Sequence, residues 1–372
     1  MDFGLSDEQR QLKETARDFL RNECPTTLVR KVMADADGIP RDLYREIAKL
    51  GWTGLIVPEK FGGAGMATLD MAVLLEECGY AAMPGPFLFS SAIAAHALAI
   101  GGSEQLKSRW LPALAEGRAI GTIAIVDEND SLAPRDITAA AAETASGFAL
   151  LGIKMFVPYA HLADFIIVAA RVGSYGGETA LFVVETATKG VSVKPMNCLD
   201  LTRRIARVEL EGVQVAPEAR LHGEGLLERV ADIGAVAIAA DSLGGTGRAL
   251  EMAVDYSKVR EQFGKPIGSF QALKHAAAEI VADLEPARAL LWYAAYAQSE
   301  LAAEAPRAAA MAKARLSEIY SRATDRAVLM HGGIGFTWEH DIQLWFKRAR
   351  FNESYFGSPA YHRERVAALG DY

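Results

Sequence analysis

Within twelve residues, Arg260-Glu261-Gln262-Phe263-Gly264-Lys265-Pro266-Ile267-Gly268-Ser269-Phe270-Gln271 gathers a cation, two aromatics and an amide around one turn. A guanidinium is a planar fork for phosphate oxygens, and a Phe ring is a flat apolar wall. The set therefore suits a flat ligand that carries phosphates. Alone, the stretch is also an ordinary Gly-Lys-Pro turn with an Arg at a helix end. A second cluster, His331-Gly332-Gly333-Ile334-Gly335-Phe336-Thr337-Trp338-Glu339, runs into Phe346-Lys347-Arg348-Ala349-Arg350. Its paired glycines let a backbone approach phosphates with no side chain between. No G-x-G-x-x-G stands at a strand-to-helix junction and no P-loop sequence occurs, so neither of those nucleotide folds is expected.

The elements that must hold these clusters are read from periodicity. Ser6 with Gln9 makes a capping-box start, followed by Leu12, Ala16, Phe19 and Leu20 at helical spacing. Thr68 caps a run from Leu69 to Glu77, and Ala-rich helical patterns continue to about Gly117. From about Gly121 the period shortens. Thr122–Val126, Phe148–Leu151, Phe165–Val168, Leu181–Val184 and Arg207–Leu210 read as short strands, with turn signals such as Gly173 to Gly177 between them. After Gly225 helical spacing returns at Leu226, Val230, Ile233, Val236 and Ala237, and long helices follow from Phe270 and from Ala308 to Met330. The expected architecture is α+β multidomain: an N-terminal helical domain (1–119), a middle β-barrel or sandwich (120–224) and a C-terminal four-helix bundle (225–372).

Composition narrows the function. The 372 residues are 51% hydrophobic and 23% charged, an ordinary globular balance with room for well-buried cores. A net charge of -8 argues against nucleic acid as the main partner. The start shows no basic-then-apolar leader and no apolar run reaches spanning length, so a cytoplasmic protein without a membrane role is expected. Cys24, Cys78 and Cys198 are scattered and the seven histidines dispersed, which fits reduced thiols and no metal site.

Together the two clusters resemble segments of the acyl-CoA dehydrogenase family of flavoproteins. The first is similar to R-x-x-F-G-x-x-I-x-x-[FH]-Q, the second to G-G-x-G-[FY]-x-x-E, and Gly51-Trp52 and Pro58-Glu59-Lys60-Phe61-Gly62-Gly63 extend the likeness toward the N-terminus. The resemblance implies helical, β and helical domains in that order, an acyl-CoA substrate, an electron-transfer acceptor, and FAD bound across a subunit interface. It assigns Arg260 to a phosphate, Phe263 and Ile267 to the cofactor wall, Gln271 to a hydrogen bond, and Gly332 and Gly333 to close backbone approach. The family commonly carries Gln three residues before the paired glycines, where this chain has Leu329. Its T-E-P-x-x-G-S-D and W-[IV]-[TS]-N segments fall without a gap on Val126 to Ala133 and on Phe156-Val157-Pro158-Tyr159. Pro158 has no N–H or hydroxyl to offer a flavin ring, while Phe156 can still cover it.

The proton-abstracting carboxylate is the sharpest departure. The family reaction removes the α-proton of an acyl thioester with a carboxylate while a hydride leaves the β-carbon for the flavin. Such a base must lie within hydrogen-bond reach of that proton. Gapless counting puts Phe356 at one usual place of that Glu and Gly234 at the other. Two substitutes remain. Asp241 lies two helical turns after Gly234 in an apolar run, where a carboxylate is costly unless used or paired, so it reads as a relocated base or as a buried ion pair. Glu353, one turn before Phe356, is the runner-up and otherwise a solvated helix-face residue. Three readings follow: an active dehydrogenase with a relocated base, a non-base-bearing subunit of a mixed oligomer, or a flavin monooxygenase on the same fold. Leu199-Asp200-Leu201-Thr202-Arg203-Arg204 and Trp345 to Ala349 resemble the bacterial branch that forms mixed pairs on bulky, steroid-like thioesters. Self-association, as a homo- or hetero-oligomer, is expected from the wide apolar faces of the C-terminal helices.

Overall fold

The computed structural model describes residues 4–173 and 177–370. The turn signal at Ser174, Tyr175 and Gly176 lies outside the described residues. The chain order is helices, then sheet, then helices, as periodicity anticipates. Among the described residues, six α-helices come first: α1 (Asp7–Glu23), α2 (Thr26–Met33), α3 (Arg41–Lys49), α4 (Thr68–Tyr80), α5 (Ala95–Gly101) and α6 (Glu104–Ala115), with a π-helical stretch at Leu88–Ala94 leading into α5. The strands that follow among the described residues are β1 (Gly121–Ala124), β2 (Ala140–Thr144), β3 (Gly147–Pro158), β4 (Phe165–Val172), β5 (Thr179–Glu185), β6 (Val191–Met196) and β7 (Ile205–Val215). The last part holds α7 (Leu226–Val259), the two-residue strands β8 (Glu261–Gln262) and β9 (Lys265–Pro266), α8 (Gln271–Glu300), α9 (Ala305–His331), α10 (Ile342–Ser354) and α11 (Pro359–Ala368).

These elements fall into two compact units, which cut across the boundaries expected at 119/120 and 224/225. One comprises Met1–Lys31, Thr68–Met83 and Ala235–Tyr372, the other Val32–Ala67 and Pro84–Gly234. The reason is visible in α4, nearly all of whose residues are buried. A helix buried on nearly every face must be enclosed by other elements, and α4 packs against α1 and α8 of its own unit. Its buried carboxylates are compensated there: Glu77 pairs with Arg17 and Glu76 with Lys13 and Arg288. Glycines bring α4 against α7 at backbone distance. A Cβ at Gly79 would fall 2.0 Å from the Asp241 carbonyl oxygen, and one at Gly244 would fall 1.7 Å from that of Glu76. The capping box at Ser6 and Gln9 forms in both directions and opens α1.

The second unit is built on one mixed seven-stranded sheet in the order β1-β4-β2-β3-β7-β6, with β5 also paired to β4. All five expected runs lie in strands or run just past their ends. Two strands carried no signal. β2, Ala-Ala-Ala-Glu-Thr, has little β-branched character, and β6 contains Pro195, which a sheet tolerates at an edge. The core is apolar and continuous, with Ile166, Val168, Phe182, Val184, Val208 and Leu210 buried together. Among the described residues no helix is long and apolar enough to cross a membrane, and no group of His, Cys, Asp and Glu is arranged to hold a metal.

Candidate functional site

The first cluster is a helix-to-helix corner made rigid by a miniature hairpin. Glu261 pairs with Pro266 and Gln262 with Lys265, which leaves Phe263 and Gly264 at the tip. Both have positive φ, +55° and +75°, the backbone of a two-residue hairpin turn. Glycine adopts that shape freely, whereas a Phe there is uncommon and its ring stands 90% exposed. The Ile267 N–H donates to the Arg260 carbonyl at 2.8 Å and closes the corner. Phe270 lies edge-on to Phe263 and under the Lys265 ammonium. Arg260 and Gln271 are both exposed, the latter as the first residue of α8.

The second cluster begins where α9 ends. Gly332 has φ +67° and ψ −144°, close to a region reserved for glycine, and no atom stands within 4 Å of where a Cβ would sit on Gly332 or Gly333. The turn beyond is clipped by Arg30, which donates to the carbonyls of Trp338 and Glu339 at 3.0 Å and to Asp341 at 2.7 Å. Both clusters spring from one small core: Ala249 and Ala253 of α7, Leu273 of α8, Met330 of α9 and Ile342 of α10. The Tyr256 and His331 rings, one turn before Arg260 and one residue before Gly332, lie 4.7 Å apart. The structure thus brings Arg260, Phe263, Ile267, Gln271, Gly332 and Gly333 to one end of the helical unit. An exposed guanidinium and an exposed amide are donors that fit a dinucleotide's phosphates, and the unobstructed glycine backbone beside them leaves room for those phosphates to approach, the Gly332 N–H itself being turned back to the Leu329 carbonyl. Leu329 is exposed at the same end and adds no donor.

The candidate base positions lie in other surroundings. Phe356 is buried, with φ +57°, between α10 and α11. The backbone around it is clamped. His362 Nε2 donates to the Phe356 carbonyl at 2.7 Å, and Lys313 Nζ donates to Gly357 O at 2.7 Å, Ser317 Oγ at 3.0 Å and Glu353 O at 3.3 Å. Burial pushes the Lys313 ammonium down to about 7 and the His362 imidazole down to about 4. Sequence reasoning passed over both. A lysine inside the run Ala308 to Leu316 was the available signal for the first. Gly234 is buried on α7.

Asp241, 1% exposed, lies where α4, α7 and α10 meet. Asn352 Nδ2 donates to its Oδ2 at 2.7 Å and Arg348 lies 3.5 Å from its Oδ1. Arg348 also donates to Met83 O at 3.0 Å, and Asn352 to Ser242 Oγ at 3.0 Å. Glu353 accepts from Ser321 Oγ at 2.8 Å and from Arg350 at 3.2 Å, half exposed on α10. Asp241 and Glu353 therefore sit in separate hydrogen-bonded settings.

In the sheet unit, Phe156 is half-buried at φ +55° and Tyr159 fully buried at φ +49°. The Tyr159 hydroxyl donates to Thr202 O and accepts from Gly85 N, each at 2.9 Å. In the Leu199 to Arg204 segment, Arg204 donates to the carbonyls of Leu201, Met33 and Asp35, and Arg203 lies over the Phe89 ring.

Comparison with known proteins gives the family. Residues 6–118 match the acyl-CoA dehydrogenase N-terminal domain family and residues 222–369 the acyl-CoA dehydrogenase C-terminal domain family. The acyl-CoA dehydrogenase IpdE2 of Mycolicibacterium smegmatis is 34% identical over 365 residues, covering 98% of this chain and 99% of the relative. Among solved structures, the ChsE4-ChsE5 complex from Mycobacterium tuberculosis superposes with a TM-score of 0.92 at 28% identity, covering 99% of this chain and 98% of its counterpart. The Tcur3481-Tcur3483 steroid ACAD does so at 0.89 and 28% identity, covering 98% and 97%. Full-length similarity and the paired motifs converge: this chain belongs to the acyl-CoA dehydrogenase family of FAD-dependent oxidoreductases.

Proposed function

We propose that this chain is the cofactor-holding, base-lacking subunit of a mixed pair that dehydrogenates a bulky acyl-CoA thioester, with the proton-abstracting carboxylate supplied by the partner. One observation carries the reading: Asp241, the first candidate for a relocated base, is closed into a hydrogen-bonded network with Asn352 and Arg348, and gapless counting from the paired glycines puts Phe356 at a usual place of the family's Glu. A Phe cannot take a proton, and a carboxylate bonded on both oxygens inside a helix junction is a structural tie. Glu353, half exposed, accepts from Ser321 and Arg350 on one oxygen, Oε2, and reads as a helix-surface ion pair. The names of two similar proteins support the pairing, since one is a complex of two different chains and another a two-component steroid enzyme. The steroid name also favours a polycyclic acyl group.

In this reading Arg260 pairs with the FAD pyrophosphate, and the open backbone at Gly332-Gly333 receives the phosphates. Phe263 and Ile267 wall the cofactor, Gln271 contributes a hydrogen bond, and Phe156 covers the ring. FAD held there would supply the two-electron acceptor for the dehydrogenation, with an electron-transfer protein as the onward acceptor. Val259, Phe263, Leu329, Phe336 and Trp338 are exposed apolar side chains around the two motifs, which fits coverage by a second subunit.

The test is co-purification. The chain alone should leave its flavin oxidised when mixed with acyl-CoA thioesters, and addition of the partner subunit should bleach it. Phe356→Glu should give the isolated chain measurable flavin reduction. Rapid bleaching by the unmodified chain alone, abolished in Asp241→Asn, would sink the proposal and restore the relocated base.

A further inference from the structure

The sheet unit contains an ion pair that the function so far leaves unused. Lys154 and Asp127 are both almost wholly withdrawn from solvent, with Nζ 2.5 Å from Oδ1. Lys154 also donates to Ile125 O at 2.8 Å. The other Asp127 oxygen accepts from the Thr138 N–H, from Thr138 Oγ1 at 3.0 Å and from Ala139 N at 3.1 Å. The Met155 N–H donates to Val126 O at 2.8 Å. Residues 125–127, leaving β1, are thus tied on one side to β3 and on the other to the segment entering β2.

Immediately beyond Lys154 the β3–β7 ladder breaks. Lys154 pairs with Val208 but Val157 pairs with Ala206, so Met155 and Phe156 stand opposite the single residue Arg207. This is a β-bulge, a device that re-aims a side chain, and Phe156 takes the left-handed backbone that a bulky residue avoids. Arg207 in turn reaches Glu128, the neighbour of Asp127, at 2.9 Å. Stability alone does not account for the pair, because a buried ion pair is often no better than apolar side chains of the same volume. Burial pushes the Lys154 ammonium down to about 8 despite the adjacent carboxylate, so desolvation outweighs the attraction. An electrostatically expensive pair therefore sits directly beneath a strained bulge, a combination that points to function rather than to stability.

We propose that Asp127 and Lys154 are positioning residues that hold the Met155-Phe156 bulge and the departing 125–128 segment in place, presenting the Phe156 ring to the flavin. This rests on the assignment of Phe156 to the ring side of FAD. Neither residue touches the substrate. They act through the backbone of Val126, Met155 and Phe156.

The decisive variant is Asp127→Asn/Lys154→Met, which keeps an acceptor for Thr138 and Ala139 and leaves no unpaired charge. The full chain should melt near the unmodified protein. Its amides at Met155, Phe156 and residues 126–128 should exchange at least tenfold faster, while those of β4 stay as slow as before. In FAD-loaded protein, with the partner subunit present if uptake needs it, the flavin band should shift and affinity fall at least fivefold. If the double variant does not fold, Asp127→Asn alone must show the same local rise in exchange. Unchanged exchange at Met155, or an equal rise throughout β4 and β5, overturns the proposal, the latter by showing a merely structural role. So does a flavin spectrum and affinity identical to those of the unmodified protein. If the unmodified protein takes up no FAD under any condition, the proposed function fails instead, and the exchange measurement still decides whether the pair holds the bulge.

Discussion

Asp241→Asn separates a structural carboxylate from a catalytic one, because the two roles predict opposite readouts. In the structure the Asp241 charge compensates Arg348, itself fully buried, and accepts from Asn352 at 2.7 Å. Removing one partner of a buried pair typically costs about 3–5 kcal/mol. Asn retains an acceptor for Asn352 and Arg348 keeps its bond to Met83 O, so the lower end, about 3 kcal/mol, is expected. For a cooperative unit of roughly 150–250 residues, that corresponds to a melting transition lowered by about 6–12 °C. Calorimetry or circular dichroism reads the shift directly. The double variant Asp241→Asn/Arg348→Met should recover part of it, since no buried charge is then left unpaired. Flavin reduction by acyl-CoA in the assembled enzyme, measured well below both transitions, should stay within about threefold of the unmodified rate, against the 10²–10⁴-fold that loss of a general base typically costs. A hundredfold slower reduction at an unchanged melting temperature would refute the structural assignment.

Two further outcomes follow from the same geometry. Arg260→Ala removes an exposed guanidinium proposed to pair with a phosphate, so FAD affinity should fall by about 1.5–3 kcal/mol, roughly 10- to 150-fold in a flavin titration, with little change in melting of the flavin-free protein. His362 has its folded value lowered to about 4, against an ordinary value near 6.5, chiefly by burial. The unfolded chain therefore binds the extra proton between those values, so its contribution is complete above pH 6.5 and lost as pH falls through 4, about 3 kcal/mol in all. Melting followed from pH 7 to 4 should show this loss, and His362→Gln should flatten it.

The helical order and the strand runs were legible because each repeats its period over enough residues to average out local exceptions. The corner and the glycine cluster were legible as chemistry because their residue types do not depend on long-range packing. What the sequence concealed were consequences of contact. Nothing in the letters around Asp241 says that Asn352 and Arg348, more than a hundred positions away, close over it. The left-handed backbone at Phe156, Phe263 and Phe356 contradicts the ordinary preference of a bulky aromatic and is imposed by a bulge, a hairpin and a clamped loop. Lys154 and Lys313 are lysines by letter and solvent-facing by expectation, yet both are enclosed because their donors meet carbonyl and carboxylate oxygens. β2 and β6 escaped because their strand character comes from their neighbours in the sheet.

The glycine contact between α4 and α7 has a mechanical consequence. Where two helices meet through side chains, rotamer changes absorb small displacements before the backbones feel them. At Gly79 and Gly244 there is no such cushion, since each glycine faces a carbonyl of the opposite helix directly. A shift of α7 along its axis is handed to α4 undiminished, and a sub-ångström slide at either glycine meets repulsion at once. The two helices form a stiff strut on which Asp241, Trp345 and Arg348 are mounted, Trp345 by its bond to the Gly79 carbonyl. Drift in sequence can repack the flanks of this strut, but a single added methyl at either glycine forces the helices apart.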